Sequence, residues 1–111
     1  MTNPLQQPPN FPEGELAIIG ACLLSEKAVA EAVARLSQED FYHTNNREIF
    51  KAIQSLAKRN QPIDIVFLTK ELRGVGTFES VGGAERISTL ADETPSAANV
   101  GHYIRQIKDK S

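Results

Sequence analysis

The 111-residue chain has 12 basic and 14 acidic side chains, a formal net charge of −2 and a hydrophobic fraction of 41%. The length fits one domain whose core needs no disulfide or metal staple. The slightly acidic balance lacks the basic excess of a surface that grips phosphate, and a chain with 6% aromatics and no tryptophan must build its core mostly from aliphatic residues, which suits packed helices better than a β-sandwich.

Residues 1–12 hold four of the six prolines. Proline fixes φ and lacks a donor, so this stretch is expected to be a flexible arm. No basic start or secretory pattern is present. A first helix is expected from Glu13 to Leu24, with Glu13 and Glu15 at the positive end of its dipole. Its apolar residues occupy nearly every side, which is the pattern of a central helix. Gly20 costs about 1 kcal/mol against alanine inside a helix, so another backbone should approach it closely. The run Leu16–Leu24 is shorter than the roughly 20 residues that span a bilayer. The lone Cys22 excludes an internal disulfide and fits a reducing, cytoplasmic setting.

Ser25 is a suitable N-cap for a second helix with Val29, Val33 and Leu36 inward. Ser37-Gln38-Glu39-Asp40 has the spacing of a capping box opening a short turn that ends at Phe41-Tyr42. Asn45 is the expected cap of the third helix, with Glu48 at its third position. Ile49, Phe50, Ile53, Leu56 and Ala57 give the clearest helical period in the chain, and Lys58-Arg59-Asn60 suits its end. A fourth helix is expected from Asp64 to Arg73, with Ile65, Leu68 and Leu72 inward and Gly74 as its stop. Val75–Gly83 reads as a glycine-rich turn and Ala84–Ala91 as a fifth helix. Ser96 should cap a sixth, with the stripe Val100, Tyr103, Ile104 and Ile107. The expectation is an all-α fold, a compact orthogonal bundle of five to six short helices over residues 13–111.

Catalytic chemistry finds no foothold in this pattern. The string G-x-x-x-x-G-K-[ST] that cradles nucleotide phosphates is missing. His43 and His102 lie far apart in sequence and outside metal-ligand spacings. Cys22 has no nearby base. The carboxylate pairs Glu13/Glu15 and Glu39/Asp40 sit at helix starts, where the dipole accounts for them. The chain is therefore expected to be no enzyme and to hold no cofactor or metal.

Several short strings share one order and spacing. Pro8-Pro9 precedes Gly14-Glu15-Leu16 and the apolar helix. Gln38-Glu39-Asp40-Phe41-Tyr42, Asn46-Arg47-Glu48-Ile49-Phe50, Pro62-Ile63-Asp64, Gly82-Gly83 and Pro95-Ser96-Ala97-Ala98-Asn99 follow. Together they resemble the N-terminal domain of DnaB-type replicative DNA helicases of bacteria or phage, from about Pro8 to Lys110. Gly14 and Leu16 stand where that family has Ala and Gln, and Asn46 where it usually has His.

The resemblance implies a non-catalytic assembly and docking module. In the family this domain forms a collar on a hexameric ring and takes part in docking a DnaG-type primase, and loader proteins are partners too. It also implies that ATP and Mg belong to a motor domain, and that a helical hairpin follows the last helix seen here. Both lie beyond Ser111, so the sequence reads as a fragment of a longer helicase. Tyr103, Arg105 and Lys108, on the last helix, are the candidate partner-binding residues, because Tyr and Arg favour interfaces. Tight binding to nucleic acid or membrane is not expected. The alternative is a helix-turn-helix DNA-binding domain using the third and fourth helices, the fourth of which offers Thr69, Lys70, Glu71 and Arg73 after an apolar start.

Overall fold

Helix α1 (Pro12–Leu24) is the axis of the structure, a computed structural model that describes residues 12–94 and 96–110. The expected Pro-rich arm lies outside those residues apart from Pro12. Ile18, Ile19, Ala21 and Cys22 of α1 are all buried. Around it pack α2 (Glu26–Arg35), α3 (Thr44–Lys58), α5 (Gly83–Glu93) and α6 (Val100–Lys110), while α4 (Ile65–Gly74) lies against α3 and α5. The fold is all-α, with no strand among the described residues. A helix apolar on all sides must be surrounded, because any exposed side would leave its aliphatic groups in water.

Gly20 marks the tightest of these contacts. A Cβ built there would meet Thr94 Oγ1, would lie 2.7 Å from Thr94 Cβ and would lie 3.0 Å from the Leu90 carbonyl oxygen. The end of α5 therefore rests directly on the α1 backbone, as the mid-helix glycine suggested.

Local caps set several helix ends. Ser25 Oγ accepts from the Ala28 N–H at 3.2 Å, and Asp64 Oδ1 accepts from the Phe67 N–H at 2.8 Å. Asp40 Oδ2 accepts from the Ser37 N–H at 2.8 Å, the return half of a capping box around the 3₁₀ turn Gln38–Asp40. Helix α3 stops in a Schellman motif: Asn60 takes φ 57°, and Gln61 N–H donates to the Leu56 carbonyl. Helix α4 ends the same way, with Thr77 N–H donating to the Leu72 carbonyl.

The structure corrects five expectations. Gly74 is the last residue of α4 rather than its stop, and the left-handed residue is Gly76 at φ 82°. Ile65 is 38% exposed, because α4 turns only Leu68 and Leu72 fully inward. Val75–Gly83 is more than a turn: Phe78 and Val81 are buried, and Arg73 lies over the Phe78 ring at 4.7 Å. Helix α5 runs one residue earlier and two later than expected, from Gly83 to Glu93. Ser96 Oγ accepts from the Ala98 N–H in a turn before α6, which itself starts at Val100. A sixth correction, at Asn45, leads into the functional region.

Candidate docking surface

Helix α3 begins at Thr44 with His43 in the N-cap position and no side-chain cap bond. Asn45, the expected cap, is an exposed residue of the first turn. The capping work is done from 28 residues away in sequence, by Glu15. That side chain is 1% exposed. Its Oε2 accepts from the Tyr42 N–H at 2.6 Å, and its Oε1 accepts from Asn46 Nδ2 at 2.9 Å and from the His43 N–H at 3.4 Å. A buried carboxylate must be held by donors, and the start of a helix supplies them along with a favourable dipole.

Asn46 extends the network. Its Oδ1 accepts from Arg86 Nη2 on α5 at 3.3 Å. Arg47 closes the corner by donating through Nε and Nη2 to the Phe41 carbonyl at 3.2 and 3.0 Å. The result ties α1, the 3₁₀ turn, α3 and α5 into one rigid corner. It drives Phe41 inward onto Phe50, with ring centroids 4.6 Å apart. The next residue, Tyr42, is turned outward and is 54% exposed. This arrangement holds backbone in place: Glu15, Asn46 and Arg47 bond to one another's elements and to backbone, while the buried His43 Nε2 and Arg86 Nε find no partner among the described residues.

The three candidate partner residues on α6 do not form one patch. Arg105 and Lys108 are about 60° apart around the helix, whereas Tyr103 is on the far side from both. Tyr103 is half-buried and lines a cleft with Leu16, Ala17 and Leu90. Arg105 lies beside Glu31, Gly101 and His102. Lys108 Nζ is engaged within the chain, 3.3 Å from Asp40 Oδ2 and 3.4 Å from Oδ1.

Among the described residues no group of three or more His, Cys, Asp and Glu side chains could hold a metal ion. No helix among them is long and apolar enough to cross a membrane. Burial pushes the Cys22 thiol up from 9.0 to about 12, so it stays protonated at neutral pH and is a poor nucleophile.

Residues 7–109 match the family model of the DnaB-like helicase N terminal domain. The chain belongs to that family. It is 40% identical over 104 residues to the replicative DNA helicase DnaB of Geobacillus stearothermophilus, covering 94% of this chain and 23% of that protein. Against the replicative DNA helicase DnaB of Treponema pallidum it is 38% identical over 114 residues, covering 98% of this chain and 26% of that protein. The fold is similar to the crystal structure of the N-terminal domain of DnaB helicase from Mycobacterium tuberculosis. The TM-score is 0.88 at 36% identity, over 94% of this chain and 75% of that one. The chain thus spans about a quarter of the length of these helicases.

The strings that carry the family likeness acquire a physical meaning here. Glu15, from the Gly14-Glu15-Leu16 string, and Asn46, which stands where the family usually has His, are the two ends of the buried bond. Sequence reading assigned Glu15 to the helix dipole and missed its role as a hub. The available signal was a carboxylate one turn into the helix and directly ahead of the apolar run Leu16–Leu24.

Proposed function

We propose that this chain is a non-catalytic assembly and docking module of a hexameric replicative DNA helicase, acting in the cytoplasm. In this reading it helps form the collar of the ring and takes part in binding a DnaG-type primase, with a loader as a further partner. ATP and Mg belong to the motor domain, and this module needs neither. The observation that carries the reading is the family match over residues 7–109. The structure is compatible with it, since the polar network around Glu15 is committed to holding the fold. The helix-turn-helix alternative gains little: Arg73 sits over Phe78, and Glu71 of the same helix is paired with Arg59.

The test is a pull-down of the cognate primase, with this chain and with a longer chain that runs on as in the relatives, alongside an ATPase assay. Capture by the longer chain, with weaker or no capture by this one and no ATP turnover, is the expected result. Failure of both chains to bind primase or other helicase subunits would overturn the proposal, as would ATP turnover that follows this chain through purification.

A further inference from the structure

The end of α1, the outer side of α2 and the α3–α4 connection enclose a groove of about 510 Å³. Its floor is aliphatic, formed by Leu23, Val29, Val33, Ala57 and Ile63. Leu24, 49% exposed, stands at the same site. Ala30 and Ala34 also line it; they are exposed and one turn apart on α2, so beyond Glu26 that wall carries only methyl groups. Small residues at that spacing let another helix approach closely. An open apolar surface bordered by polar groups marks a partner site in a soluble domain.

The chemistry of the groove narrows the occupant. No aromatic side chain lines it, which disfavours a polyproline segment, since such segments dock between aromatic rings. Its walls are helices and offer no sheet edge for an added strand. Among the lining residues Glu26 is the one charged group, and it is acidic. Helix α1 ends here without a basic residue in its last turn and α2 begins two residues later, so Glu26 is the charge that the groove offers a ligand. The groove is therefore apolar within and negative at one end.

We propose that this groove seats one amphipathic helix of a partner protein, with aliphatic side chains about four residues apart and a Lys- or Arg-bearing flank directed at Glu26, beside the end of α1. The proposal rests on the docking reading above and names a surface and a ligand chemistry for it. The aliphatic groups supply burial, and the cationic flank fixes the direction in which the helix lies.

The test uses the whole ¹⁵N-labelled chain and fluorescein-labelled peptides about four helical turns long. One peptide carries a leucine stripe with lysine flanks, one carries the same stripe with glutamate flanks, and one is scrambled. The lysine peptide should bind about tenfold or more tighter than the glutamate peptide. It should shift the amide signals of Leu24, Ala30, Ala34, Gln61 and Ile63. Ala30→Arg and Ala34→Arg place a good helix former at exposed positions, so both variants should stay folded by circular dichroism while binding about tenfold or more weakly. Equal binding of the two charged peptides, shifts that map elsewhere, or affinity unchanged by Ala34→Arg would overturn the proposal. Concentration-dependent self-association abolished by Ala34→Arg would give the groove to a second copy and also overturn it. Primase capture that persists in Ala34→Arg while the peptides fail to bind would end this proposal and leave the docking reading standing.

Discussion

Replacing Glu15 tests whether the buried carboxylate organises the corner that presents Tyr42. Glu15→Ala strips acceptors from three donors: the backbone N–H groups of Tyr42 and His43 and the amide of Asn46. An unpaired buried donor costs about 1–3 kcal/mol. Only the bond to Asn46 is fully buried, and the His43 bond is long at 3.4 Å. Water can therefore recover part of the loss, and burial of the carboxylate itself no longer has to be offset. The net expectation is about 2–4 kcal/mol of destabilisation, a large share of the 5–15 kcal/mol typical of a domain. Glu15→Gln keeps the shape but turns an N–H₂ toward a donor, which should cost less, about 1–3 kcal/mol. Urea unfolding followed by circular dichroism at 222 nm reads both, and a Tm loss of about 4–8 °C per kcal/mol should accompany them. A double-mutant cycle with Asn46→Ala should show clear coupling. If both single variants unfold within about 0.5 kcal/mol of the parent, with additive effects, the hub reasoning fails.

Three further perturbations probe other links. Gly20→Ala gains about 1 kcal/mol of helix propensity, yet its methyl would run into Thr94. A net loss of about 1–2 kcal/mol by urea unfolding is expected from overpacking, relieved in part in the double variant with Thr94→Gly, which removes the Thr94 side chain but leaves the Leu90 carbonyl 3.0 Å away; a stabilised single variant would contradict the contact. Gly76→Ala meets nothing within 4 Å, so its cost of about 1–2 kcal/mol should come from the left-handed backbone alone, and a thermal melt identical to the parent's would show that the turn is not held there. Burial raises the folded-state pKa of Cys22 above its unfolded value, so its contribution to stability is complete below about pH 9 and is lost as pH rises toward 12. Urea midpoints measured between pH 8 and 10.5 should fall more steeply for the parent than for Cys22→Ala, and equal slopes would count against the buried thiol.

Much of the fold is legible because its signals are local. Ser25, Asp64 and the Ser37–Asp40 box each act on a backbone group three residues away, a distance that sequence spacing encodes directly. The all-round apolar pattern of α1 places it at the centre, since no other packing removes every side from water. The glycine within it announces a close neighbour, although only the structure identifies Thr94 and Leu90. Phe78 and Val81 were hidden in a glycine-rich segment because their burial depends on how α4 and α5 are placed, not on any period of their own.

By itself the sequence determined the helices, the caps at Ser25, Ser37 and Asp64, and the family, because these depend on side chains within a turn of one another and on an ordered set of short strings. Only the tertiary structure decided the polar corner and the surfaces. Glu15 meets Asn46 across 31 residues, Arg86 meets Asn46 across 40, and Lys108 meets Asp40 across 68. A carboxylate one turn into a helix looks the same in sequence whether it faces water or a second helix's first turn. It is the packing of α3 against α1 that removes the water and makes those donors its partners.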